Sequence, residues 1–499
     1  MKRFWIVCTF LQFVLFLLIT GCATLCPTNV PIIRGRPETC QSFLECLDEE
    51  VGKADVRDES TASVPCFPYL RSNRMLAALK KALSTDEERA HWLQWMIDLN
   101  LNAREKEVQN LPDDIILLLN RDSGKESGRV GLLSRLQSCS YELLKHDQGH
   151  LEFFETLYPF VNVPDEYSFW RRAGGLYPLA WLPVNIVTKN VRNRFQSWYD
   201  EDFDDLTIEG DLKTFVPSEP IMLQPTVVFN ILKACLDNPL GVPRPDKIQE
   251  ETLAVSFAPI FVQDVAGPYD YIGRVMWDGD RLEVDREHPT VYYYFSQAYL
   301  KGEPILQVNY VSWFGARKGE KSPWMERGQL DGLTTRVSLD RQGEPFMVDV
   351  MNNCGCYHFF SPAKERVEEV VSKPFVLNPF VPQWLPAIPS GNRLGLRINS
   401  GWHQVERLTA ASGSTEGIAY ELLPYHVLEK LPHEDGSTKS MFDPKGIAKG
   451  SERIERFILF SSGIPSVGSM RQRGNHPIAL TGRMHFDDPY LFDRNFVFK

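Results

Sequence analysis

Three hairpin signatures follow one another between residues 275 and 350, and they restrict the carboxy-terminal half of this chain to a sheet. Val275-Met276-Trp277 and Leu282-Glu283-Val284 flank Asp278-Gly279, a pair suited to the positive φ angles of a tight hairpin turn. Lys301-Gly302 separates the apolar runs 291–300 and 305–314, and Asp340-Arg341-Gln342-Gly343 separates 334–339 from 346–350. Successive hairpins at this spacing predict antiparallel pairing. No repeat and no low-complexity tract interrupts the pattern.

Upstream the periodicity changes to that of helices. Met75, Leu76, Leu79 and Leu83 recur at helical spacing, and Ser84-Thr85-Asp86-Glu87 offers a capped start for a helix through Trp92, Trp95, Met96 and Leu99. Leu132, Leu136, Leu143 and Leu144 repeat the pattern. The fold class is therefore α+β, with an amino-terminal mainly helical region at 69–250 followed by an antiparallel β-rich region at 251–499. Residues 22–68, with Pro, Thr, Gly and Ser among charges, read as a tether bearing a short Cys-rich element.

Residues 1–21 have the build of a secretory signal peptide: Lys2 and Arg3, an apolar run from Phe4 to Leu18, then small residues. The ending Ile19-Thr20-Gly21-Cys22 resembles the lipobox of bacterial lipoproteins. That resemblance implies cleavage before Cys22, a diacylglyceryl thioether on its sulfur and an acylated amino group, with palmitate as the typical chain. Two or three acyl chains exceed the marginal hold of one, at about 0.8 kcal/mol per buried methylene. In that family an Asp after the lipidated Cys retains the protein at the inner membrane. Here the residue is Ala23, which implies the outer membrane, facing the periplasm, in a Gram-negative cell. No second apolar stretch approaches the roughly 20 residues of a spanning helix. The expected body is folded beside a membrane that it does not cross.

An envelope location changes the meaning of cysteine. Cys8 leaves with the signal peptide and Cys22 carries lipid, so Cys26, Cys40, Cys46, Cys66, Cys139, Cys235, Cys354 and Cys356 remain. Their surroundings are oxidising, and the first four, crowded near the amino terminus, allow three disulfide pairings. Cys139 and Cys235 also fit as small buried hydrophobes.

The densest chemical cluster is Asn352-Asn353-Cys354-Gly355-Cys356-Tyr357-His358. Cys354, Cys356 and His358 are soft and borderline metal ligands, and zinc is the natural cofactor for such a set. On a continuous strand Cys354 and His358 would stand about 13 Å apart, so coordination requires Gly355 to break the strand. The alternatives are a disulfide, or an extended buried face with a hydrogen-bonded His. A catalytic thiol at Cys356 would need a base, from His358, His403, His476 or His485, the last beside Asp487. Gly401-Trp402-His403 resembles the Gly-Trp-His segment of transglutaminase-like cysteine proteases, although the Cys and Asp contexts of that family are missing. His485-Phe486-Asp487-Asp488 also reads as a turn.

Charge narrows the partners. A net charge of −11 argues against nucleic acid. The segment 440–499 is mildly basic, with nine Lys or Arg against six acids, and the Gly/Ser-rich loop 461–469 precedes Arg471, Arg473 and Arg483. Those guanidinium groups are the candidates for an anionic cell-wall or lipid headgroup. Two readings follow. One is a membrane-anchored envelope lipoprotein that binds a partner protein or cell-envelope component. The other is a hydrolase or metal-dependent enzyme centred on Cys354, Cys356 and His358.

Overall fold

The computed structural model describes residues 35–121, 128–373 and 377–499. The expected signal peptide and lipobox, with Cys22, and Cys26 lie outside these residues.

The helical part is built on α1 (Glu38–Lys53), α2 (Asp86–Asn110) and α3 (Gly128–Gln148). Thr85 caps α2 with a reciprocal pair of bonds. Its hydroxyl accepts from the Glu88 N–H at 3.1 Å, and the Glu88 carboxylate accepts from the Thr85 N–H at 2.9 Å. Phe43, Leu44 and Leu47 of α1 pack with Trp92, Met96, Leu132 and Leu136 in one core. The region read as a tether thus contains a core helix. Its apolar residues satisfy helical spacing, but the Pro, Gly and Ser around them mask that signal.

Cys40 of α1 is bonded to Cys139 of α3, with Cα atoms 5.1 Å apart. This corrects the reading of Cys139 as a mere buried hydrophobe. The bridge joins an amino-terminal thiol to a distant helix, which sequence proximity does not predict. Cys66 is also disulfide-bonded, and Cys235 is a buried free thiol.

The strand-rich part centres on a ten-stranded sheet. Its strands are β1 (Asp211–Pro217), β2 (Ile260–Val265), β3 (Thr290–Leu300), β4 (Glu303–Arg317), β5 (Gly328–Leu339), β6 (Pro345–Asn352), β7 (His358–Pro362), β8 (Asn392–Ile398), β9 (Val405–Ser412) and β10 (Ile418–Pro424). Their order across the sheet is β7-β6-β5-β4-β3-β10-β1-β2-β8-β9. The second and third hairpin signatures become β3–β4 and β5–β6. The first becomes a separate two-stranded ribbon, Arg274–Asp278 against Arg281–Asp285.

The sheet is mixed rather than antiparallel throughout. β10 runs parallel to both β3 and β1, and β8 runs parallel to β2. Hairpin signals report only strands joined by short turns, whereas parallel neighbours need long crossovers that leave no local mark. β1 itself falls inside the region read as helical.

The segment after residue 440 has little regular structure and binds the two parts together. Lys106 of α2 is 3.1 Å from Asp58 and 2.6 Å from Glu429, while Arg473 pairs with Glu429 at 2.9 Å. All but Arg473 are almost wholly removed from water. Removing one partner from such a buried set typically costs about 3–5 kcal/mol.

The Cys40–Cys139 bridge closes a span of 99 residues. A Cys139→Ser variant is expected to lose about 2–5 kcal/mol of stability, the usual range for a native bridge. Denaturant unfolding of reduced and oxidised wild type beside the variant checks this. An oxidised wild type no more stable than the variant would contradict it.

Candidate functional site

The Cys-Gly-Cys sequence forms the turn between β6 and β7. β6 ends at Asn352, whose N–H donates to the Tyr357 carbonyl at 3.1 Å, and Gly355 donates to the Asn352 carbonyl at 2.6 Å. Gly355 has φ of 77°, in the region that favours glycine. A Cβ there would meet the Pro477 carbonyl oxygen at 2.2 Å, so glycine is required on two counts. The turn separates the two thiols by environment. Cys354 is 4 % exposed, and Cys356 is partly exposed in a cleft.

The thiols face each other. The Cys356 N–H donates to Cys354 Sγ at 3.3 Å. Burial raises the Cys354 pKa, but the Cys356 thiol, the Arg317 charge and the Cys356 N–H outweigh burial and leave it below the usual thiol value. Its hydrogen bond to Cys354, with burial, holds Cys356 well above that value.

His358 opens β7, and its Nε2 lies 2.8 Å from Asp349, which also holds Arg336 bidentately at 2.9 and 2.6 Å. Burial lowers the His358 pKa despite the carboxylate, so the ring is neutral near pH 7. Gly355 does break the strand, yet no group of three or more His, Cys, Asp or Glu residues among the described residues is placed to hold a metal ion. The expected zinc set Cys354, Cys356 and His358 is not among such groups, and His358 Nε2 faces Asp349.

His403 is fully buried, and it is no base for a thiol. Nδ1 lies 2.8 Å from Asp331 and Nε2 lies 3.0 Å from Asp270, while the ring stacks on Phe314 at 4.0 Å. Burial would lower its pKa, but hydrogen bonds to the two aspartates and their charges raise it above the ordinary value. Asp331 passes the chain onward by a bidentate pair with Arg317 at 2.9 and 2.8 Å. Arg317 then meets Glu326 at 2.8 Å, and Glu326 accepts from Tyr357 and Trp402 at 2.5 and 2.8 Å. This buried relay ends at the thiol turn.

The remaining candidates scatter. His485 contacts Arg74 at 3.0 Å and Asp165 at 3.5 Å, rather than Asp487. Asp487 lies in the turn after Phe486, and burial raises its pKa. His476 is buried, and burial together with Arg471 pushes its pKa down to about 3. The three arginines do not converge on one anion. Arg471 is buried and donates to the Pro465 carbonyl, Arg473 grips Glu429, and Arg483 reaches Asp165 at 3.3 Å. Each found its counter-group within the fold, which local composition could not reveal.

The cleft itself is roofed by α5 (Tyr177–Asp200), a helix preceded by the short α4 (Phe169–Gly174). Val191, Arg192 and Phe195 of α5 face Asn352, Cys356 and His358 across it, with Phe380, Ile478 and Leu480 closing the sides. A pocket of about 320 Å³, lined by Trp181, Asn185, Lys189, Arg192 and Lys373, adjoins at Arg192 and Asn378 the cleft of about 50 Å³ that Cys356 helps to line. The Arg192 guanidinium donates to the Asn378 carbonyl at 2.6 Å and lies over the Phe380 ring. Burial lowers its pKa to about 10. No carboxylate pairs with Arg192 among the ion pairs of the described residues. Sequence reading missed Arg192, Lys189 and Lys373; the only available signal was a cation recurring on an otherwise apolar helix.

No protein family, curated protein or solved structure matches the chain.

Because its pKa is raised, protonated His403 contributes stability that is complete below about pH 6.5, the ordinary value. That contribution is lost as pH rises through the folded value. At pH 6 a His403→Asn variant is expected to be about 3–5 kcal/mol less stable than wild type, with the gap narrowing toward pH 9. Denaturant titrations across that range measure it. A gap independent of pH would contradict an imidazolium at this position.

Proposed function

We propose that this chain is a lipid-anchored envelope protein that binds an amphiphilic, anionic envelope component in the cleft beneath α5. The carrying observation is the pairing of a basic pocket with an adjoining apolar cleft on one helix that also presents an exposed apolar face. Trp181, Asn185, Lys189 and Arg192 follow helical spacing along that pocket, while Leu179, Leu182 and Ile186 form the neighbouring stripe. Leu179 is 72 % exposed, Trp170 of α4 65 % and Phe457 69 %. The segment 455–462 adjoins α4, with Ser168 donating to the Gly463 carbonyl at 2.8 Å, so these groups form one surface.

A contiguous apolar surface of this kind marks an interaction site. Its occupant in this reading is the bilayer leaflet that holds the lipid anchor. Arg171, Lys189, Arg194 and Arg456 flank it on a chain of net charge −11, a local excess that complements anionic headgroups. Aromatic and aliphatic side chains beside Lys and Arg are the composition of interfacial helices. The fifteen residues between Cys22 and Glu38 span at most about 55 Å, so the anchor confines the body to the membrane surface. Among the described residues no helix is long and apolar enough to cross a membrane.

In this arrangement a headgroup meets Lys189, Arg192 and Lys373 while an apolar portion enters beneath α5. For the hydrolase reading, no hydrogen bond joins an imidazole of His358, His403, His476 or His485 to Cys354 or Cys356 among the described residues.

Labelling cells with palmitate is expected to mark the wild-type protein and leave a Cys22→Ala variant unmarked; label retained by the variant would remove the anchor from the account. On vesicles of anionic phospholipid with brominated chains, the lipidated protein should show quenched tryptophan fluorescence, and Trp170→Phe should lose part of that quenching. Equal quenching in both proteins would place the α4–α5 face away from the bilayer.

A further inference from the structure

We propose that Cys354 and Cys356 form a reversible dithiol–disulfide couple that exchanges with cysteine pairs of other envelope proteins, Cys356 receiving the incoming thiolate and Cys354 leaving. This deepens the cleft assigned above and rests on that envelope reading only for its oxidising surroundings.

Geometry assigns the two roles. The Cys356 N–H already reaches Cys354 Sγ at 3.3 Å across the Gly355 turn, and the Pro477 carbonyl packed against Gly355 fixes that turn from outside. Cys356 is partly exposed and lines the cleft, whereas Cys354 is buried and does not line it. A thiolate entering the cleft therefore reaches Cys356 Sγ. Attack forms a bond from the incoming sulfur to Cys356 Sγ and breaks the Cys354–Cys356 bond, and the electron pair goes to Cys354 Sγ. The departing thiolate is met by the Cys356 N–H at 3.3 Å and by the nearby charge of Arg317. The second thiolate of the partner then attacks its own sulfur in the mixed disulfide and releases Cys356, which takes up a proton. Two electrons pass from the partner's cysteine pair to Cys354 and Cys356, and the partner leaves as a disulfide. A protein disulfide presented to the dithiol form reverses every step.

A stabilised leaving thiolate favours the reduced form, and that makes a couple oxidising. Arg317 is itself fixed by Asp331 and Glu326, so the charge facing Cys354 cannot swing away. The Cys40–Cys139 bond joins two helices within a packed core, and Cys40 Sγ lies 3.3 Å from a Glu142 carboxylate oxygen, whose charge disfavours a thiolate. The cleft of about 50 Å³ admits a side-chain sulfur but not a folded surface, which selects cysteines on an extended or flexible segment.

The test is redox titration of the full protein in glutathione buffers, with acid quenching and peptide mapping to distinguish this pair from Cys46 and Cys235. The expected result is a two-electron transition of Cys354–Cys356 at a [GSH]²/[GSSG] ratio at least about 100-fold below that for Cys40–Cys139. A Cys354→Ser variant should accumulate a glutathione mixed disulfide at Cys356, because no neighbouring protein thiol remains to displace the glutathione. A Cys356→Ser variant should stay unmodified at Cys354. A pair that stays dithiol throughout, titrates together with Cys40–Cys139, or takes glutathione at Cys354 instead would overturn the proposal. The lipid-quenching measurement is read separately on reduced protein, so failure of one leaves the other standing.

Discussion

A buried line of alternating charge, Asp270–His403–Asp331–Arg317–Glu326, sets the geometry on which the rest of the site depends. Its members come from the loop after β2, the turn before β9, from β5, from β4 and from the segment following β4. Isolated charges at such depth are strongly disfavoured, so each position is tenable only when its neighbour is in place. The line therefore locks elements from both halves of the sheet into one register. At its far end Glu326 accepts from Trp402 and Tyr357, and Tyr357 flanks the thiol turn. Arg317 thereby faces Cys354 with its charge held in place.

From that frame the cleft follows. The hairpin β6–β7 supplies a floor through Val350, Asn352 and the run 356–360, and the carboxy-terminal segment closes one side through Pro477 and Ile478. α5 supplies the roof. Phe195 anchors it against Tyr357 and Trp402 at ring distances of 5.1 Å, so the roof rests on the same aromatic group that receives the charge relay. The opposite stripe of α5 stays apolar and exposed. In the proposed arrangement one helix has two faces with different partners, a cleft within the molecule and a bilayer outside it, which would couple the membrane surface to the cleft.

What was legible in the sequence was local. Asp278-Gly279, Lys301-Gly302 and the 340–343 turn marked three hairpins, and Ser84-Thr85-Asp86-Glu87 marked a helix start, because those features are decided by a few adjacent residues. The parallel placement of β10 between β3 and β1 was not legible, since its partners are over a hundred residues away. The same reason hid the bridge between Cys40 and Cys139. At the site, the proximity of Cys354, Cys356 and His358 in sequence suggested a shared ligand set, but the strand pairing turned His358 toward Asp349. His403 looked chemically available because its two aspartates lie 72 and 133 residues distant. Arg192 escaped notice because nothing in a helix sequence tells which cation lacks a carboxylate in the fold.

The central claim is that α5 lies between the bilayer and the thiol cleft. Hydrogen exchange of the lipidated protein, free in detergent-exchanged solution and on anionic vesicles, tests it most directly. The account predicts that vesicles slow exchange across residues 169–192 and alter it in the 352–358 turn, while α1 and α3 exchange as before. Protein bound to vesicles with unchanged exchange along 169–192 would contradict it.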